Sequence, residues 1–227
     1  MAGEDDDNDR TALTGQIKEK LIRSKQLWAE QGRLLTGQAD PRHANRLPPG
    51  QKEVKNWPVL DLGRQPDIRP EKWHLRVRGL VENPVLWTWP EFTALAQEDF
   101  ESDIHCVTAW SRYDNHWRGV SSRAILDVVK PKPEARHAEF HAYDGYTTNV
   151  KLEVFAEPDV LLATHWEGKP LPRDHGGPVR VVIPHWYFWK SAKWVNRIEF
   201  TAEDRPGFWE TRGYHNEGDP WKEERYG

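Results

Sequence analysis

A single cysteine, at position 106, is all that this chain of 227 residues carries. One cysteine cannot close an internal disulfide and cannot build a multi-cysteine zinc framework, so the composition suits a reducing compartment or one indifferent to redox state. Long apolar runs are missing as well: nothing approaches the ~18 residues that a membrane-spanning helix needs. The first residues, MAGEDDDNDR, are acidic where a secretory leader is basic and then apolar, and a cytoplasmic protein is expected. Neither sign of charge dominates. Lys and Arg number 32 against 36 Asp and Glu, for a formal charge of -4, and their interspersion leaves no basic footprint for nucleic acid. There is no internal repeat. What is abundant is tryptophan, with 13 residues in a chain of mean hydropathy -0.86. The indoles must therefore supply much of the buried area.

The length is ample for one core. Residues 1 to about 13 are acidic and poor in apolar groups, and disorder is expected there. From Thr14 to Gly32 the spacing of Ile17, Leu21 and Trp28 predicts a helix that docks on the body, with Lys18, Arg23 and Lys25 elsewhere on its surface. Residues 33 to 72, with LPPG and NWPVLDLG, read as an extended segment laid over a surface. The expected organisation is a tail and docking helix over 1–46, then a domain over 47–227 whose last residues wrap back on the body.

In the body, WHLRVRGLV alternates apolar and polar residues as a half-buried strand does, and VLWTW follows as a second. Thr88 and Glu91 have capping-box spacing, which predicts a short helix at PEFTALAQ. SDIHCVTAW has strand character, and Ser121 or Ser122 caps a helix at SSRAILDVVK. AEFHAYDGYTTNVKLE predicts two strands around Asp144-Gly145, VRVVIP a central strand, YFWKSAKW a turn of helix and VNRIEF a last strand. Short strands and short helices in no regular βαβ order predict an α+β fold.

A free cysteine is most often a small buried hydrophobe. Three chemical roles compete with that for Cys106. A His105-Cys106 nucleophilic dyad is poor geometry, because neighbours on a strand point to opposite faces. Zinc held by Cys106, His116 and the His137/His141 pair needs HAEFH to converge, yet i and i+4 on a strand are about 13 Å apart, and the pattern is not H-E-x-x-H. A soft metal held by one thiolate, its other ligands coming from a cofactor, needs one cysteine only.

HCVTAWS, followed by W-x-G-V at Trp117 to Val120, resembles the segment that carries the molybdenum-ligating cysteine in the sulfite oxidase family of molybdopterin enzymes. The resemblance continues in order through DGYTTNVKLE, LLATHWEGKPLPRDHGGPVRVVIP, YFWKSAKWVNRIEF and GFWETRGYHNEGDPW. It is strongest to the small bacterial sulfite oxidase-like branch, a molybdopterin-binding domain alone. It implies the sulfite oxidase-type fold of mixed sheets and short helices, with molybdenum on molybdopterin lacking a nucleotide. The implied reaction is oxygen-atom transfer to or from a small substrate, a sulfite-like anion or a sulfoxide, with electrons exchanged through an external carrier.

By the same resemblance Cys106 is the metal ligand, and His175 and Arg180 hold the pterin and its phosphate, for which a planar guanidinium is well suited. Lys193 with the backbone of Ser191 and Ala192 cradles the same anion. Asn56, Pro58 and Val59 lie against the pterin, and Tyr146 approaches the metal. At the first of the family's substrate arginines, near NWP, this chain has Lys55, and after Cys106 the available charge is Arg112, while Trp110, Trp117 and Trp186 make the mouth more apolar. Arg180 paired with Asp174 or Glu199, and solvated Lys190 and Lys193, are the structural readings of the same residues. A molybdopterin carrier without catalysis and a zinc-dependent hydrolase are the alternatives of function.

Overall fold

The computed structural model describes residues 4–31 and 45–227. The first helix, α1, spans Glu4–Gln31 and so begins well before Thr14, in the segment expected to be disordered. The helix does dock on the body, but on a different face from the expected one: Ile22, Lys25 and Ala29 are buried, Leu21 is half-buried and Trp28 is exposed. The side chain of Ile17 and residues 33–44 of the expected extended segment lie outside the described residues.

The extended segment contributes β1 (Lys52–Glu53). The alternating WHLRVRGLV becomes β2 (His74–Gly79), paired antiparallel with β3 (Val85–Thr88). α2 (Trp89–Thr93) starts at the expected capping box, where the Thr88 amide donates to Glu91 Oε2 at 2.8 Å. The cysteine segment is not one continuous strand. β4 (Gln97–Cys106) ends on the cysteine, Val107–Ala109 turns the chain, and β5 (Trp110–Ser121) returns antiparallel. Ala109 closes the turn in the left-handed region at φ 69, a conformation costing a residue with a Cβ about 1–2 kcal/mol. The amide of Ala109 in turn donates to the Cys106 carbonyl at 3.0 Å.

Ser121 caps α3 (Ser122–Val129) by accepting from the Ala124 amide. β6 (His137–Ala142) and β7 (Thr147–Lys151) form a hairpin around Asp144-Gly145 and lead into α4 (Leu152–Phe155). Then come β8 (Leu161–Trp166), β9 (Lys169–Pro170), β10 (Arg180–Val182), a 3-10 turn at Phe188–Lys190, and β11 (Val195–Thr201).

These strands make two mixed sheets. One has the order β1-β5-β8-β10 with β4 on β5 and β9 on β8; the other has the order β3-β2-β11-β6-β7. The β1/β5 and β2/β11 pairs are parallel. This is the α+β architecture that the sequence predicts. VRVVIP, however, is not central in its ladder: β10 pairs only with β8. Its free side is covered by loop backbone, with the Val181 amide donating to Ala192 O at 2.9 Å, which removes an open edge.

The period of two along β8 and β10 separates two cores. Leu162 and Val181 face the core between the sheets, with Leu75, Phe140, Ile198 and Phe200. Leu161, Ala163 and Val182 face the opposite way, into a second core with Ile22 and Ala29 of α1, Val54, Trp57, Trp209 and Tyr214. The first sheet is thus covered on both faces, and each large apolar side chain so buried stabilises the fold by about 1.5–3 kcal/mol. Close approach of β5 to β8 requires Gly119, where a Cβ would lie 2.1 Å from Leu162 O and 2.7 Å from Ala163 Cα. Gly119→Ala is expected to part these strands at a cost of about 3 kcal/mol, lowering the melting midpoint by roughly 10 °C in a thermal scan followed by circular dichroism. No helix among the described residues is long and apolar enough to cross a membrane.

Candidate active site

A cavity of about 130 Å³ opens in the second core, between the first sheet and the α1, 57–62 and C-terminal segments that cover it. Cys106 reaches it because it shares a strand face with Ile104, and both belong to that core. His105 points the other way. Its Nδ1 meets Ser111 Oγ at 2.8 Å, and it lines a separate cleft beside Trp221. The turn after Cys106 is held from two sides: Gln51 donates to the Cys106 carbonyl at 3.1 Å, and Arg225 of the C-terminal tail donates to Val107 O. Burial pushes the Cys106 thiol's pKa up, opposed by the Thr108 hydroxyl 3.1 Å away. A thiolate here therefore needs a cation for company, and a bound metal ion is the strongest such partner.

Across the cavity lies Arg180. β10 directs it to the same face as Val182, and it is only 2% exposed. Its Nη1 donates to His175 O at 2.8 Å and its Nη2 to Ser191 O at 2.9 Å, while the guanidinium lies 4.1 Å from the Phe188 ring centre. Neither Asp174 nor Glu199 pairs with it; Glu199 pairs with Arg78 and Arg205 instead. Burial without a carboxylate lowers its pKa to about 9. Lys193 is in the same condition: its ammonium donates to the Asp174 carbonyl at 2.8 Å, and burial followed by the Arg180 charge lowers its pKa to about 7. His175 stacks on Trp57 with ring centres 3.7 Å apart and planes 10° from parallel. Burial, then Arg180, holds its pKa near 4, so it is neutral at pH 7. Lys190 is neither solvated nor in the cavity; it is fully buried against Glu210 Oε1 at 2.6 Å.

Seven of the candidate catalytic and cofactor-binding residues line the cavity together: Cys106, Tyr146, Pro58, His175, Arg180, Ser191 and Lys193. The Tyr146 hydroxyl donates to Trp189 O at 2.6 Å, and burial raises its pKa well above the ordinary phenol range. Ser191 Oγ accepts from the Ile183 amide at 2.9 Å. Five residues lie elsewhere. Ala192 is buried in the core between the sheets, and Asn56 and Val59 are exposed. Lys55 is exposed, and Arg112 reaches its carbonyl at 3.3 Å while pairing with Glu167 at 3.3 Å and lying over Trp166. Of the three tryptophans, only Trp110 lines the cavity.

The zinc arrangement does not assemble. His137 and His141 stand on β6 in the other sheet, His116 pairs with Glu101, and no group of three or more His, Cys, Asp or Glu is placed for a metal among the described residues. Sequence reasoning missed Lys25, Asp61, Trp57, Trp209 and Tyr214, all of which line the cavity. The signal for Lys25 was present, three residues after Ile22 and four before Ala29 on the helical stripe that packs.

This donor set fits a molybdenum–pterin group. Cys106 offers one soft sulfur, as a thiolate ligand requires. Arg180 is buried and Lys193 half-buried, and neither has a carboxylate within ion-pairing distance among the described residues, so a phosphate would supply the missing negative charge.

The oxidoreductase molybdopterin binding domain family matches residues 62–209. The chain is 45% identical over 192 residues to the uncharacterized oxidoreductase YuiH of Bacillus subtilis (strain 168), covering 84% of this chain and 96% of that one. It is 28% identical over 158 residues to the protein-methionine-sulfoxide reductase catalytic subunit MsrP of Ralstonia nicotianae, covering 63% of this chain and 47% of that one. Among solved structures, the sulfane dehydrogenase SoxCD from Paracoccus pantotrophus has the same fold, with a TM-score of 0.59 at 18% identity over 74% of this chain and 56% of that one. With the domain matched over most of the body and a relative aligned over nearly its whole length, the chain belongs to the sulfite oxidase family of molybdopterin-binding oxidoreductases, with molybdenum on molybdopterin as its cofactor.

Proposed function

We propose that this protein catalyses oxygen-atom transfer with a small sulfur oxo compound at a molybdenum centre ligated by Cys106. The observation that carries the reading is the meeting, in one cavity, of a single soft donor with a buried guanidinium that has no carboxylate partner. When bound, the cofactor supplies two-electron redox chemistry at a metal position open to substrate. For a sulfoxide the balance is R₂SO + 2H⁺ + 2e⁻ → R₂S + H₂O, and sulfite oxidation to sulfate runs the same exchange in the opposite sense. The electrons come from or go to an external carrier.

The residues of this chain do the rest. Cys106 holds the metal, on a turn fixed by Gln51 and Arg225. Arg180 and Lys193 bind the pterin's phosphate, and neutral His175, braced by Trp57, presents its ring without adding charge. Trp57, Trp110, Trp189, Trp209 and Tyr214 line the wall and exclude water, which strengthens each electrostatic contact inside. Tyr146 keeps its proton on the phenol oxygen at neutral pH. Relatives named as methionine-sulfoxide reductases support the sulfoxide direction.

The test uses protein purified from a host able to make molybdopterin. Near-stoichiometric molybdenum and pterin, with oxidation of a reduced dye by dimethyl sulfoxide or reduction of an acceptor dye by sulfite, is the expected result. A protein loaded with both but inert toward every sulfur oxo donor and acceptor, while still reducible by dithionite, is a carrier and overturns the proposal.

A further inference from the structure

The charges expected to face substrate, Lys55 and Arg112, are outside the cavity, yet a cation is present beside the cysteine. It comes from α1. Lys25 is 8% exposed and lines the cavity with Cys106. Its ammonium donates to the backbone carbonyl of Asp61, and among the described residues no carboxylate lies within ion-pairing distance of it. The Asp61 carboxylate is turned to other donors, accepting from the Gly63 amide at 2.8 Å and the Gln65 side chain at 2.6 Å. One of the three ammonium protons is thus engaged by a carbonyl in a wall otherwise rich in indole and leucine. Burial lowers the Lys25 pKa to about 8, with Asp61 and Cys106 opposing the fall, so the amine is still mainly protonated at neutral pH. A buried ammonium with spare donors and no carboxylate within ion-pairing distance is a recognition group for an anion.

We propose that Lys25 is a specificity-determining residue that binds the negative charge of a small oxyanion substrate beside Cys106, so that the cavity prefers a sulfite-like anion, or a sulfoxide bearing an acidic group, over a neutral oxo compound of the same size. In the proposed function Arg180, anchored on the His175 and Ser191 carbonyls, and Lys193 hold the pterin's phosphate, which leaves Lys25 as the remaining lysine or arginine among the lining residues. Delivery from α1 also makes selectivity depend on docking of that helix, through Ile22 and Ala29. The inference rests on the proposed function and narrows its substrate class.

The experiment compares sulfate with dimethyl sulfone, a neutral molecule of the same tetrahedral shape, by calorimetric titration into wild-type, Lys25→Met and Lys25→Arg holoenzymes whose pterin and molybdenum contents are measured first. The wild type is expected to bind sulfate at least tenfold more tightly than the sulfone. Lys25→Met is expected to lose that preference while keeping its sulfone affinity and its cofactor, and Lys25→Arg to retain most of it. No preference in the wild type, or an undiminished preference in Lys25→Met, overturns the inference. Pterin lost from Lys25→Met overturns it too, by assigning the lysine to the cofactor's phosphate. Wild-type protein without pterin and molybdenum refutes the proposed function itself, an outcome read before any titration.

Discussion

Cys106→Ser is expected to fold normally and to lose at least 100-fold in turnover together with most of its bound molybdenum. Serine replaces the sulfur with a smaller, harder oxygen whose proton is far less acidic, and a soft metal loses its thiolate. The fold has little reason to respond. The side chain is 7% exposed, ends a strand and touches the Thr108 hydroxyl, with which a serine hydroxyl also bonds. Arg180 and Lys193 are untouched, so pterin is expected to be lost less than metal. Elemental analysis, the fluorescence of the oxidised pterin and a thermal melt check the three parts separately. Molybdenum-dependent turnover at the wild-type rate in Cys106→Ser would overturn the ligand assignment.

The second large effect is expected at Arg180, and it is large in the loaded protein and small in the empty one. Arg180→Met removes a buried charge that has no carboxylate partner. In the holoenzyme this takes away the guanidinium proposed to bind the phosphate, and pterin occupancy is expected to fall tenfold or more. In protein made without molybdopterin the same change removes an uncompensated charge and fills its place with an apolar chain, which tends to be neutral or stabilising. Two carbonyls, of His175 and Ser191, lose their donor, at about 1–3 kcal/mol for each one left buried and unpaired. The empty variant is therefore expected to melt within a few degrees of the wild type. Arg180→Lys is expected to fall between, because one ammonium cannot fork to two carbonyls and a phosphate. A large fall in the melting point of the empty variant, with pterin binding retained, would make Arg180 a structural residue.

Local features of the chain were legible because their causes are local. The Thr88–Glu91 capping box, the Ser121 cap, the turn at Asp144-Gly145 and the alternation along β2 are set by residues within a few positions of one another. The long return strand β5 was not legible: its exposed face carries Asp114, His116 and Arg118, and its start depends on Ala109 accepting a left-handed turn. The acidic stretch at residues 4–13 satisfied the composition of a disordered tail and the first turns of a helix equally well.

The candidate site divides along the same line. One cysteine among 227 residues, in a recognisable segment, pointed to a single soft ligand before any contact was known. That Cys106 shares a cavity with Arg180 and Lys193, that Trp57 stacks on His175, that Lys25 enters from α1 and that Lys55 and Arg112 stay outside were decided only by the packing of distant segments. The reason is physical. Charge state and partnering depend on burial and on what surrounds a group in space, and a lysine on an amphipathic helix has the same local sequence whether its ammonium meets water or the floor of a cavity.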